Sequence, residues 1–447
     1  MSRREGTSAI VVGAGMAGLL TARVLSDHVD RVRILERDRL PEDAVARSGV
    51  PQGRHAHVLL AAGQRLLDGW FPGLADELVA GGAVTLDAGQ LVWHQSGGHR
   101  VPSDLGCRVL SMSRPLLECT IRRRLLRQRP NVTVTDETAV DRLILEDSRV
   151  VGVQVDGVRH GADLVVACSG RHTRFLEQLA ELGFPAPPVS AVRIDVACGT
   201  CVVPRRPDDL TGALTVVVDD PAHHHRIGMM VPAEGDRWII TLGSFHDDVS
   251  PTEPAAYESF ARSLPSPLIA DVLARSEAPT PVLTHRMPTS QRRHVERLTQ
   301  TPAGFLVLGD AICSFNPLEA QGMSSAALQA QALDRAVTRH GPTSPRLARA
   351  FYRRAAKVVD VPWKIAARAA FADPRASGPK PAGTDLFNRY LDMVFRACHT
   401  SGAVAHQTRR VQNLLARPET LMTPAMILRV LLAARRSPAV VANRPAE

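Results

Sequence analysis

The stretch Gly13-Ala14-Gly15-Met16-Ala17-Gly18 constrains the fold more than any other part of the chain, because of what flanks it. Before it runs the apolar segment Ala9-Ile10-Val11-Val12, and after it the apolar positions take helical spacing. A strand that passes through a glycine turn into a helix is the first half of a βαβ unit. Residues 32–36 read as the second strand, and Glu36 ends it, 18 residues beyond Gly18. That is the spacing of a carboxylate that accepts from a ribose hydroxyl. The glycines let the backbone turn tightly and approach a pyrophosphate, and the helix N-terminus offers N–H donors and positive potential. A GxGxxG alone is a common glycine-rich turn. Strand, helix, second strand and acid together point to a bound dinucleotide.

A second segment narrows the choice. Gly304-Phe305-Leu306-Val307-Leu308-Gly309-Asp310-Ala311 reads as a buried strand ending in Gly-Asp. Asn316-Pro317 and Gln321-Gly322-Met323 follow, opening a long helix over 321–339. The Asp places a carboxylate beside a polyol, and the Gln-Gly-Met turn aims helix N–H groups at an anionic ring. Reduced flavin is such a ring, so the two segments together point to FAD rather than NAD.

The 447 residues exceed one ordinary core and predict two or three packed units. Ser113-Arg114-Pro115 reads as a helix start, with Ser113 as N-cap and Pro115 in the first turn, running to about residue 128. Strands follow at 132–135, 139–146, 150–157 and 162–168. Residues 186–245 alternate as in an antiparallel sheet with one face free to cover a ligand, and 253–276 read as two short helices. The expected class is therefore α/β: a Rossmann-type FAD-binding domain (1–80, 100–180 and 285–340), an antiparallel β-sheet substrate domain (81–99 and 181–284) and a helical C-terminal region (341–447).

Composition excludes several functions. The net charge of +9 comes from arginine, since Lys357, Lys364 and Lys380 are the only lysines. The basic residues are scattered and aromatics are 4%, which gives no nucleic-acid footprint. No run of about 18 apolar residues marks a transmembrane helix. The basic then apolar N-terminus runs into the glycine turn without a cleavage site, so a buried strand and a cytoplasmic location are expected. The seven cysteines form no disulfide framework, and Cys198 and Cys201, three apart in a strand, face opposite sides. His223, His224 and His225 read as a solvated loop rather than a metal site. His55 and His57 share one side of an extended segment, with no carboxylate to complete a metal site. Met229 and Met230 read as core or apolar pocket lining.

The segments VVGAGMAGLL with LERD, VPQGRHAHVLLAAGQRLL, SMSRPLLECTIRRRL, ADLVVACSGRHTR, MMVPAEGDRWIITLGSF and FLVLGDAICSFNPLEAQGM resemble the FAD-dependent monooxygenases of the para-hydroxybenzoate hydroxylase fold. Within that group the chain is similar to the polyene epoxidases of polyether antibiotic biosynthesis, from residue 8 to about 335. The resemblance implies Gly13, Gly15, Met16, Ala17 and Gly18 at the FAD pyrophosphate, and Glu36 with Arg37 at the adenosine ribose. It implies Gln52, Arg54 and His55 in a loop near the flavin, Arg114 and Gly170 on the cofactor, and Gly309 with Asp310 at the ribityl or pyrophosphate region. Asn316, Pro317, Gln321, Gly322 and Met323 would lie against the isoalloxazine. Two positions depart from the pattern: Ser169-Gly170 replaces Asp-Gly, and Glu319-Ala320 replaces Tyr-Gly ahead of Gln-Gly-Met.

The expected activity is monooxygenation of an apolar or polyketide-like metabolite. Reduced FAD would give a C4a-hydroperoxide whose distal oxygen passes to an alkene or an electron-rich ring. No catalytic side chain stands out, because the hard chemistry belongs to the cofactor. No second GxGxxG occurs, so NAD(P)H docks transiently or a partner flavin reductase supplies electrons. Three alternatives share the motifs. One is a reductase or desaturase of the geranylgeranyl reductase type. Another is a halogenase, against which stand the missing W-x-W-x-I-P and the absence of lysine before Lys357. The third is a non-catalytic flavin-binding protein.

Overall fold

The computed structural model describes residues 6–86, 90–103, 109–210, 213, 215–219, 226–246, 251–276 and 279–436. The triple histidine at 223–225 lies outside the described residues, as does the side chain of Glu319.

The glycine turn leaves the middle strand of a five-stranded parallel sheet. Across the sheet stand Phe305–Val307, Leu164–Ala167, Ser8–Val12, Arg31–Leu35 and Val132–Thr135. Val11, Ile34, Val165, Val166 and Val307 are fully buried, which is why these strands read as unbroken apolar runs. The register sets Val12 beside both Ala167 and Leu35, and Ala167 beside Val307. Four strands therefore end at one level, and the residues that follow them, Gly13, Glu36, Cys168 to Gly170 and Leu308 to Asp310, share one edge. Ligands of open parallel sheets bind at that carboxyl edge. Helix Met16–Leu25 buries Leu19 and Leu20 against the sheet. The long helices Gly322–His340 and Leu347–Ala370 also join this core, and Tyr352 Oη accepts from Val307 N–H at 3.1 Å.

The second layer is an eight-stranded sheet ordered Cys313–Ser314, Leu283–Arg293, Val189–Pro204, Arg237–Phe245, Arg226–Ala233, Thr215–Asp219, Leu91–Gln95 and Gly98–His99. It is antiparallel except where Thr215–Asp219 runs parallel to Leu91–Gln95, a strand supplied by an earlier excursion of the chain. Leu283–Arg293 spans the expected boundary at 285: it pairs along its length with Val189–Pro204, and its end pairs with Ser314 and Cys313. One face carries Cys201, Met230, Trp238, Ile240 and Leu242 against helices Pro254–Arg262 and Leu268–Ala274, the two short helices expected there. Cys198, Thr200, Thr241 and Met229 take the other face, by alternation and register. Cys198 and Cys201 thus point apart, and burial pushes their thiols up to about 12 and about 11. Both are free, and neither is activated for redox chemistry.

A small antiparallel sheet, Arg142–Glu146, Arg149–Val155 and Val158–Gly161, extends the expected hairpin by one strand. The C-terminal helices Thr384–Ala397, Gly402–Gln412 and Pro424–Ala434 gather around Val394, Val404 and Val430, after the Pro/Gly-rich break. Among the described residues no helix is long and apolar enough to cross a membrane, and no group of side chains could hold a metal.

Candidate functional site

The two glycine motifs, nearly 300 residues apart in sequence, meet in space. Gly309 has φ +75°, and a Cβ on it would fall 2.7 Å from the Ala17 Cβ. Gln329, one side of the long helix, fixes the turn: its Oε1 accepts from Gly309 N–H at 2.9 Å, and its Nε2 donates to Ser325 Oγ at 3.1 Å. On the other motif, Gly13 has φ +103°, and a Cβ on Gly18 would lie 1.8 Å from Gly13 O. Only glycine permits that helix to start so close to the turn.

What remains open is suited to an anion. Helix Met16–Leu25 begins with no side-chain cap and no acid in its first turn, and Gly322–His340 is the same. Uncapped N-termini leave N–H donors and the positive dipole end free. By contrast, Ser113 caps helix Arg114–Gln128 as expected, accepting from Leu116 N–H. A Cβ on Gly15 would meet only Arg47 Nη2, at 3.8 Å, and one on Gly170 or Gly322 would meet nothing within 4 Å. Gln321 Oε1 is buried with no hydrogen-bond partner among the described residues. Two bare helix ends, open glycine backbone and an orphaned amide oxygen fit an extended, negatively charged nucleotide carrying a polar ring.

Glu36 is buried at the end of its strand; its Oε2 accepts from Ala14 N–H at 2.7 Å and its Oε1 from Asp38 N–H at 3.1 Å. Arg47 Nη1 bridges Glu36 at 3.1 Å and Asp38 at 3.2 Å, and its Nη2 lies 3.8 Å from Glu118. Arg114 Nε donates to Glu118 at 2.7 Å, and its Nη1 reaches Gln52 Oε1 at 3.4 Å. Arg37 and Arg54 are exposed, Arg37 lying 3.8 Å from Asp38. Met16 and Met323 are buried in the main core, so they offer the groove backbone rather than side chain. Asn316 caps the Pro317–Glu319 turn by accepting from Leu318 N–H at 3.1 Å. A Cβ on Gly243 would sit 3.2 Å from the Leu318 side chain, which seats that turn against the eight-stranded sheet.

Between sheet and turn, charge gathers. Asp310 is half-buried; burial raises its carboxyl above the ordinary value, while Arg114 and Arg171 pull it down. Arg171 in turn faces His285, and Arg114 faces His57. Burial holds His57 down at about 3 and His55 at about 4, and lowers His285 as well. The rings of His55 and His285 are 5.6 Å apart. Arg47, Arg171, His285, Thr200, Thr241 and Gln329 all escaped the sequence reading. No local motif marks them, since each joins the site from a separate element.

A parallel sheet with an antiparallel sheet over its carboxyl edge is the para-hydroxybenzoate hydroxylase-like fold, the fold of flavin monooxygenases and halogenases. Residues 6–340 match the FAD binding domain family, and the chain belongs to it. Protein Rv3254 of Mycobacterium tuberculosis H37Rv is 34% identical over 417 residues, covering 86% of this chain and 85% of its own length. The flavin-dependent brominase Bmp2 superposes with a TM-score of 0.67 at 14% identity, over 96% of this chain and 100% of its own. The p-nitrophenol 4-monooxygenase PnpA of Pseudomonas putida DLL-E4 does so with a TM-score of 0.63 at 18% identity, over 92% and 100%.

Proposed function

We propose that this protein is an FAD-dependent monooxygenase that places one oxygen atom on an apolar substrate, by epoxidation or hydroxylation. The observation that carries the proposal is the close approach of the Gly309 turn to Ala17 in the first turn of an uncapped helix, with the uncapped helix Gly322–His340 following that turn in the chain, beneath a sheet face bearing Met229, Thr241 and Gly243. In this reading the backbone at Gly13, Gly15 and Gly18 holds the FAD pyrophosphate, and Glu36 the adenosine ribose. Asp310 and Arg114 hold the ribityl region, and Pro317, Gln321 and Gly322 bear on the isoalloxazine. Bound and reduced, FAD supplies the oxygen activation. The chain's part is to bind, orient and exclude water. The bare N-terminus of Gly322–His340, with Gln321 beside it, stabilises negative charge on the ring. Leu318 on Gly243 closes the apolar wall.

Electrons reach the flavin from NAD(P)H docking transiently or from a separate reductase, since the chain has one dinucleotide motif. The brominase likeness extends to fold, but no lysine precedes Lys357, so none stands in the flavin-binding segments to carry a haloamine. The test has two stages. Purified protein titrated with FAD should show a shifted, resolved flavin spectrum at stoichiometric binding. Turnover of candidate polyketide-like alkenes and aromatics under labelled dioxygen should then give product carrying one labelled oxygen; turnover that persists anaerobically would replace oxygen transfer with reduction or desaturation.

A further inference from the structure

The segment His55-Ala56-His57 runs extended from the Pro51–Arg54 turn across the ligand-facing side of the eight-stranded sheet, and its polar atoms are individually tied. His55 Nδ1 lies 2.7 Å from Thr200 Oγ1, Thr200 Oγ1 lies 2.7 Å from Thr241 Oγ1, and Thr241 Oγ1 accepts from Ala56 N–H at 3.0 Å. Each hydroxyl has one proton to place. If Thr241 donates to Thr200, and Thr200 donates to His55 Nδ1, every proton in the chain has an acceptor. The opposite direction leaves the Thr241 proton with no acceptor among the described residues. The satisfied direction makes His55 Nδ1 an acceptor and puts the His55 proton on Nε2.

His57 is fixed with the opposite polarity. Its Nδ1 lies 2.9 Å from the carbonyl oxygen of His55. A carbonyl only accepts, so His57 Nδ1 carries the proton and Nε2 keeps its lone pair. Both rings are held neutral, first by burial and then by positive charge nearby, with His285 and the Arg54 guanidinium facing His55 and the Arg114 guanidinium facing His57. Neither Nε2 atom has a protein partner among the described residues, and neither is a sealed, orphaned atom. Two residues apart on one extended segment, the chain thus presents one fixed donor and one fixed acceptor beside the proposed oxygen-transfer pocket.

We propose that His55 and His57 are specificity-determining residues that read one hydroxyl on an otherwise apolar substrate, His55 Nε2–H donating to its oxygen and His57 Nε2 accepting its proton. This rests on the pocket assignment made above. An apolar molecule of the same shape leaves both imidazoles desolvated and unpaired, and a carboxylate meets the His57 lone pair with an oxygen that has no proton to give. A buried site built to pair a hydroxyl rejects the analogue lacking it strongly, which is how a few polar atoms select within an apolar pocket.

Two measurements test it. The first compares 2-naphthylmethanol, 2-methylnaphthalene and 2-naphthoate as fluorescent probes of the FAD-loaded protein. The alcohol should bind at least about ten-fold tighter than the other two, and His57→Phe should abolish the alcohol's advantage over the hydrocarbon. Equal affinities, tightest binding of the carboxylate, or no binding of the alcohol overturns the proposal. The second reads tautomers directly by long-range 15N–1H spectra of histidine-labelled protein at neutral pH. His55 should carry its proton on Nε2 and His57 on Nδ1, and Thr200→Val should release His55 to a tautomer mixture. The reverse tautomers, or charged rings, overturn it. Neither measurement depends on turnover, so a protein that binds the alcohol selectively but fails to transfer oxygen sinks the monooxygenase reading and leaves this one standing.

Discussion

Arg47 ties together more of the proposed cofactor edge than any residue the glycine motif announces. It lies within ion-pair distance of Glu36, Asp38 and Glu118, and its side chain is 9% exposed. Three carboxylates around one guanidinium are tolerable only while the guanidinium stays, because an unpaired buried charge is far costlier than the pair is favourable. Arg47→Ala is therefore expected to lower stability by about 3 kcal/mol, seen as a fall in the urea midpoint, and a change of under about 0.5 kcal/mol would show that water already solvates the cluster. In the proposed site Glu36 and Asp310 serve the nucleotide more than the fold. Glu36→Ala and Asp310→Ala should each weaken FAD retention by roughly ten-fold or more, measured by flavin released on gel filtration or by titration. Unchanged retention in both would remove the assignment of this groove. The place of Glu36 at the end of its strand was legible in the sequence. Arg47 was not, because it sits in an irregular loop with no periodicity, and an arginine-rich chain offers many equivalent candidates.

At the scale of elements, the sequence pattern read well where burial is two-sided or a cap is local. The parallel strands, the Ser113-capped helix and the long helix after Gln321 all fall within a residue or a few of expectation. Helices Leu74–Ala80 and Phe175–Glu181 did not, being too short for periodicity to declare itself. The eight-stranded sheet was visible as alternation, but its order was not, since register between distant strands has no local signature. The join between the two nucleotide motifs depends on contact tighter than any side chain allows. Gly309→Ala combines a left-handed backbone with a Cβ 2.7 Å from that of Ala17, so the turn must move off the first helix. A loss of about 1–3 kcal/mol is expected by the cost of strain and overpacking. Gln329→Leu, which removes the acceptor for Gly309 N–H, should loosen FAD with a smaller change in stability. A Gln329→Leu protein that binds FAD as the parent does would show that the helix packing alone sets the turn.

The whole molecule brings three of its sixteen histidines, His55, His57 and His285, to the ligand-facing side of the eight-stranded sheet, and that placement makes its stability sensitive to acid. His55, His57 and His285 titrate near 6.5 in an unfolded chain, and in the folded protein burial lowers all three, His55 to about 4 and His57 to about 3. Between those values the unfolded state binds more protons than the folded one, so stability is complete above about pH 6.5 and falls as pH drops toward 4 and then 3. Each fully depressed group contributes a slope of at most about 1.4 kcal/mol per pH unit within its window. Asp310 acts in the opposite sense: its raised carboxyl binds a proton more readily folded than unfolded, which softens the loss at the acid end. Urea unfolding at pH 7.5, 6.0 and 5.0, with FAD held constant, should show a falling midpoint. In His55→Asn/His57→Asn the fall should be much shallower, even if the double variant is less stable at pH 7.5. Parallel pH curves for parent and double variant would mean that these imidazoles reach water in the folded protein, and that the acid response comes from the surface carboxylates instead.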